Sequence, residues 1–175
     1  MQRSDLEHII RASGDVANDD EIIVIGSQSI LGQFPDAPIL LLASMESDIY
    51  PKNKPELADK VDGAIGEGSS FHQLYGYYAQ GVGPDTAVLP ADWQDRLIEV
   101  RNENTAGVTG LCLEVHDLAV SKLVAGRPKD LDFVMELARQ KMIERATLRA
   151  RLKMTKITDI ENSLAGTRID SLFNE

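Results

Sequence analysis

Glu46 and Asp48 stand two apart in the run Ser44-Met45-Glu46-Ser47-Asp48-Ile49-Tyr50-Pro51, and no other pair in the chain is better placed to do chemistry. On a β-strand, positions i and i+2 project from the same face with Cα atoms about 6.5 Å apart. Two carboxylates so placed can converge on one cation. Without a cation they repel, and hard oxygen donors select Mg2+ or Mn2+ over zinc. The chemistry open to such a pair is charge neutralisation on a phosphate-bearing substrate. The same acidic alternation also reads as an ordinary solvated face.

Two further groups suit phosphate. Gly26-Ser27 follows the β-branched run Ile22-Ile23-Val24-Ile25 directly, where a glycine allows close backbone approach and a helix start exposes N–H groups. Ser27 reads equally as a helix N-cap, and neither GxGxxG nor GxxxxGK[ST] occurs, so a Rossmann or P-loop assignment has no support. Further on, His116-Asp117-Leu118-Ala119-Val120-Ser121-Lys122 precedes Gly126-Arg127-Pro128-Lys129-Asp130. A cation at Lys122 could balance charge on a triphosphate. The plainer alternatives are a surface lysine and an Asp130 that caps the next helix. His8, His72 and His116 lack the spacing of a helical zinc pair, and Cys112, between Leu111 and Leu113, reads as a buried strand residue. Phe71, Tyr75, Tyr77 and Tyr78 could stack on a base, or pack the core or the rim of a cleft.

The elements that must position these groups follow from the apolar pattern. Leu6, Ile9 and Ile10 predict a first helix from near Ser4, stopped by Ser13-Gly14-Asp15. A strand over 22–25 turns at Gly26-Ser27 into a helical segment around 28–34, stopped by Pro35. The 44–51 run reads as a strand edging a site. Pro55 opens a helix with Leu57, Ala58, Val61 and Ile65 on one face and Gly66 and Gly68 as its stop. Segments 77–82, 96–101 and 111–115 read as extended, with 102–110 a turn-rich connection between the last two. Helices follow from near His116, beyond Lys129, over 143–152 and over 158–164. The pattern is α/β (α+β): a small mixed sheet with helices, then a helical end.

The order strand, Gly-Ser, helix, then a strand with spaced carboxylates, then a late helix with Lys and Arg-x-x-Asp resembles the DNA polymerase beta-like nucleotidyltransferase superfamily, especially small bacterial proteins related to the AbiEii toxin type. The resemblance covers roughly residues 20–140. Gly26-Ser27 matches the family's Gly-Ser signature, and Glu46-Ser47-Asp48 matches its Asp-x-Asp pair with Glu at the first position. It implies residues 1–140 as a nucleotidyltransferase-like α/β domain and 141–175 as a helical C-terminal extension of that domain. It implies transfer of a nucleoside monophosphate from an NTP to an acceptor, with Glu46 and Asp48 holding Mg2+ or Mn2+ and Gly26 and Ser27 cradling phosphates. Lys122 would bind or activate the phosphate end, and Asp130 matches the late acidic motif. Family members add a third carboxylate from a later strand; Glu99 is favoured over Asp95 because it shares a strand face with Leu97. The rival reading is a related binding or regulatory module without turnover, paired with an antitoxin-like protein.

Composition narrows the partners. The chain has 175 residues, 43% apolar and 26% charged, which fits one globular domain and excludes a disordered or disulfide-scaffold protein. One cysteine forms no internal disulfide, as expected in a reducing cytoplasm. Neither the N-terminal stretch nor any run of about 18 apolar residues indicates export or membrane spanning. The net charge of −10 argues against a nonspecific nucleic-acid binder. Charge is polarised, however: Lys141, Arg145, Arg149, Arg151, Lys153 and Lys156 are opposed within 141–156 only by Glu144. That segment is either a solvated helix face or a contact strip for a polyanion such as tRNA, with a protein hydroxyl as the other candidate acceptor.

Overall fold

The computed structural model describes residues 1–174. Contacts divide the chain into two compact units, Met1–Thr86 with Leu97–Leu113, and Ala87–Arg96 with the chain from Glu114 onward. Together they are mixed α/β, with one five-stranded sheet and eight α-helices among the described residues.

The first unit holds the sheet. In chain order its elements are α1 (Arg3–Ala17), β1 (Glu21–Val24), α2 (Ile30–Gln33), β2 (Glu46–Pro51), α3 (Ala58–Ile65), α4 (Ser70–Tyr75), β3 (Tyr78–Gly81), β4 (Ile98–Val100) and β5 (Thr109–Cys112). The strands lie in the order β3-β2-β1-β5-β4. β1 runs antiparallel to β2 and parallel to β5; β2 and β3 are parallel, and β4 and β5 antiparallel. The strand carrying Glu46 and Asp48 is therefore an interior strand.

Register sorts the side chains onto two faces. Ile22, Val24, Ile49, Gly110 and Cys112 share one face, which α1 and α2 cover: a Cβ at Gly110 would meet Ile10, and one at Gly32 would meet Cys112. The other face carries Ile23, Leu111, Tyr50, Asp48, Glu46, Tyr78, Gln80 and Glu99.

α1 does not stop at Ser13-Gly14-Asp15; it runs on to Ala17 and ends at Asn18, whose φ of 49° is left-handed. The small residues serve packing instead. Ser13 and Gly14 are buried, and a Cβ at Gly14 would lie 2.6 Å from a Val108 methyl and 2.9 Å from the Asp19 carbonyl oxygen. Gly14→Ala is therefore expected to cost about 1–3 kcal/mol of stability despite the better helix propensity of alanine. Urea denaturation checks this, and an unchanged midpoint would contradict it.

The second unit contains α5 (Val115–Ala125), α6 (Pro128–Arg139), α7 (Arg145–Lys153) and α8 (Asp159–Leu172). Helices α6, α7 and α8 each pack on α5. The extended reading of 111–115 fails at its end because the Glu114 carboxylate accepts the His116 and Asp117 N–H groups, which makes Glu114 the N-cap of α5. Extended structure over 96–101 shrinks to β4 because 93–96 form a 3-10 turn. Arg96 in that turn grips the fully buried Asp117 through Nε (2.8 Å) and Nη2 (3.1 Å). Arg151 lies 3.1 Å from the same carboxylate, without hydrogen-bond alignment. Helix α5 ends at Gly126, φ +65°, against which the Arg168 guanidinium lies while donating to the Leu123 carbonyl.

Candidate active site

The carboxylate pair and the Gly-Ser turn meet in the first unit. Beyond β1 the ladder continues, with the Ile25 N–H donating to the Asp48 carbonyl (3.0 Å). This lays Gly26 directly beside Asp48. A Cβ on Gly26 would fall 2.1 Å from Asp48 Oδ2, so the absence of a side chain there is what admits the carboxylate. Gly26, with extended backbone, is itself the residue preceding the 3-10 turn Ser27–Ser29, so Ser27 is the first turn residue and not the N-cap. Gly26, Ser27, Glu46 and Asp48 are all half-buried.

Glu46 is held from the neighbouring strand. Register pairs Glu46 with Tyr78 and Asp48 with Gln80. The Tyr78 hydroxyl donates to Glu46 Oε2 (3.1 Å), and the His72 ring packs on Tyr78 with centroids 4.5 Å apart. Burial first, and then the charge of Glu46, push the Tyr78 hydroxyl up to about 12. It stays a protonated donor at neutral pH. This contact was not legible in the sequence: Tyr78 stood out only as one of four aromatics, and its alignment with Glu46 depends on a parallel pairing 32 residues away. The other three rings, Phe71, Tyr75 and Tyr77, gather around His8 instead.

Glu99 does not join the pair. It is exposed on β4, and β1 and β5 lie between β4 and β2. At about 4.8 Å per strand, that places β4 about 14 Å across the sheet from β2. Among the described residues, no group of three or more His, Cys, Asp or Glu side chains is arranged to hold a metal ion. The expected third ligand is thus corrected by strand order, which local alternation cannot reveal.

Lys122 and Asp130 belong to the helical unit. The Asp130 side chain is 0% exposed and accepts Lys122 Nζ (3.1 Å), Arg127 Nε (2.5 Å) and Arg127 Nη2 (3.2 Å). Burial alone would push its carboxyl up, but the hydrogen bonds from Arg127 and Lys122 outweigh it and hold the carboxyl below the ordinary carboxylate range. Asp130 neither caps α6, whose N-cap is Arg127, nor reaches solvent to act on a substrate. Its carboxylate holds the Lys122 and Arg127 side chains in place. The Arg127 side chain is 62% exposed. Lys122 also lies over the Phe133 ring, 4.7 Å from its centroid. The pairing of Arg127 with buried Asp130 was not legible, because the Arg-x-x-Asp spacing signals only that one helical turn joins them.

Residues 4–170 match the family described as nucleotidyltransferase of unknown function (DUF6036). The chain belongs to this family. No curated protein and no solved structure matches it. Membership makes nucleotidyl transfer the general activity of this nucleotidyltransferase, and the general expectation of an NTP as ligand goes with it.

A divalent cation fits the donors present in this nucleotidyltransferase. Glu46 and Asp48 offer hard carboxylate oxygens from one strand face, and Mg2+ usually takes one or two carboxylates together with waters and substrate phosphates. A two-carboxylate set meets that demand without Glu99. Cys112 does not suit chemistry here, since it is fully buried and burial pushes its thiol up to about 12. The basic 141–156 stretch is partly neutralised within its own unit, since Arg145 and Arg149 both pair with Asp170 and Arg151 faces Asp117. Lys141, Lys153 and Lys156 are exposed. Among the described residues, no helix is long and apolar enough to cross a membrane.

Proposed function

We propose that this nucleotidyltransferase moves a nucleoside monophosphate from an NTP to a hydroxyl of an RNA or a protein, with Mg2+ or Mn2+ held by Glu46 and Asp48. The observation that carries the reading is the close contact of the Asp48 carboxylate with the Gly26 backbone, which sets an acidic oxygen and a side-chain-free turn side by side. In the reaction the acceptor oxygen bonds to the α-phosphorus and the bond from that phosphorus to its bridging oxygen breaks. Pyrophosphate leaves with the electron pair, and the acceptor proton passes to solvent. When bound, the cation supplies positive charge to the triphosphate and the leaving oxygen.

The chain's own residues orient and offset charge. Glu46 and Asp48 fix the cation's place, and the Gly26-Ser27 backbone lets phosphate oxygens approach closely. Lys122 and Arg127, presented by buried Asp130, have the chemistry to receive a phosphate oxyanion. Kinship with the DNA polymerase beta-like and AbiEii-type proteins, cytoplasmic residence and an antitoxin-like partner belong to the same reading, supported by the order of Gly26-Ser27, Glu46-x-Asp48, Lys122 and Asp130. Exposed Lys141, Lys153 and Lys156 support an RNA acceptor such as tRNA.

A second reading, a nucleotide-binding module without turnover, is favoured by one observation: no third acidic side chain stands with the pair among the described residues. Pyrophosphate release decides between them. With NTP, Mg2+ and either total RNA or total protein, the transferase releases pyrophosphate until EDTA is added. Nucleotide binding without pyrophosphate in either mixture would favour the module.

A further inference from the structure

We infer that Tyr78 is the positioning residue for the Glu46 carboxylate and thereby sets the divalent-cation affinity of the Glu46 and Asp48 pair. The inference rests on the proposed metal role of that pair and goes beyond it by assigning the group that completes the site.

A glutamate ligand has one more side-chain torsion than an aspartate, so its carboxylate ranges over a larger volume and loses more freedom when it binds. Asp48 is confined by its contact with Gly26. Glu46, on the same face two residues earlier, has no such wall from a glycine turn; what restrains it is the Tyr78 hydroxyl on Oε2 at 3.1 Å. That bond occupies one lone pair of one oxygen, leaving Oε1 and the remaining lone pair of Oε2 for a cation. Tyr78 is itself fixed. Its N–H donates to the Met45 carbonyl (3.0 Å), its strand is in register with Glu46, and the His72 ring lies against its own. His72 is held in turn through Nδ1, which accepts the Gly68 N–H (3.0 Å). The chain of contacts runs from the loop before α4 through His72 and Tyr78 to the ligand oxygen. Hydrogen-bonding partners of metal ligands commonly change metal affinity by about 10- to 100-fold when removed.

The test is Mn2+ titration of the full chain, followed by the loss of the free Mn2+ EPR signal, on wild type, Tyr78→Phe, Glu46→Gln and the double variant. Tyr78→Phe keeps the ring against His72 and removes only the hydroxyl. Its Mn2+ Kd is expected to rise about 10-fold. In the Glu46→Gln background the same substitution is expected to change Kd less than twofold, since a purely structural tyrosine would act equally in both backgrounds. Tyr75→Phe, which also removes a hydroxyl but lies in the His8 cluster, should leave Kd unchanged. If wild type binds Mn2+ and Tyr78→Phe binds it equally well, the inference is overturned while the metal reading stands. Wild type that binds no Mn2+ overturns both. Should Tyr78→Phe fold poorly, His72→Ala removes the support of the Tyr78 ring and is expected to weaken Mn2+ in the same direction; an unchanged Kd there would count against the inference.

Discussion

Asp48→Asn is expected to lower nucleotidyl transfer by about 100- to 1,000-fold while leaving the fold intact, a rise in the barrier of about 3–4 kcal/mol. The substitution keeps the size and shape of the side chain against Gly26, removes its charge and turns one acceptor oxygen into an NH2 donor. Losing charge at one of two carboxylates halves the negative field offered to a cation, which is why the rate and not the stability should carry the effect. Gly26→Ala should reach a comparable loss by a different route. Its new methyl would stand 2.1 Å from Oδ2 of Asp48, so the carboxylate must swing away or the turn must open. Glutamate at 48 would not rescue the alanine variant, since a longer carboxylate needs more room beside Gly26. Initial rates at saturating NTP and Mn2+, with far-ultraviolet circular dichroism on each variant, test both. Full activity in Gly26→Ala would show that the Asp48–Gly26 contact has no part in the chemistry.

Asp130→Ala is expected to destabilise the helical unit by about 3–5 kcal/mol, the usual penalty for removing one partner of a buried ion pair. The Lys122 side chain is only 12% exposed, so its ammonium loses a buried counter-charge, whereas the Arg127 side chain is mostly exposed. The sign of the pH dependence follows from the depressed carboxyl of folded Asp130. Its contribution is fully present above the unfolded value of about 3.9 and is lost as pH falls through the lower folded value. Wild type should therefore lose stability steeply below about pH 4, and Asp130→Ala should lose less over the same interval. Some slope will persist in the variant, because Glu7 and Asp19 are also held below the ordinary carboxylate range. Chemical denaturation from pH 3 to 7 separates the two curves. A constant gap between them at every pH would contradict the assignment.

The parts of this fold that depend on local pattern were legible in the residues. The strand read over 22–25 became β1, Glu21–Val24, the alternation through Glu46 and Asp48 became β2, and the turn at Gly26 followed directly. The helix with Ala58, Val61 and Ile65 on one face and its stop at Gly66 was equally plain. What failed was non-local. Gly14 looked like a helix stop because nothing in its neighbourhood reveals Val108 pressing on it. Glu99 looked like a third ligand because alternation fixes a residue's face but not its strand's place in the sheet, and two strands intervene. Lys122 read as a phosphate-binding or surface lysine and Asp130 as a cap or an acidic motif; only the fold shows Asp130 buried against Lys122 and Arg127. Tyr78 illustrates the same limit, since its meaning depends on which strand β3 joins.

Whether the α-phosphoryl group and its nucleoside move together to an acceptor is decided by parallel incubations with α-labelled and γ-labelled NTP. Each contains the full chain, Mg2+ and total RNA or total protein. Acceptor-bound label is expected from the α-labelled NTP and none from the γ-labelled one, whose label appears in pyrophosphate. Acceptor label from the γ-labelled NTP, or γ-label released as inorganic phosphate with no acceptor labelled by either NTP, would contradict nucleotidyl transfer.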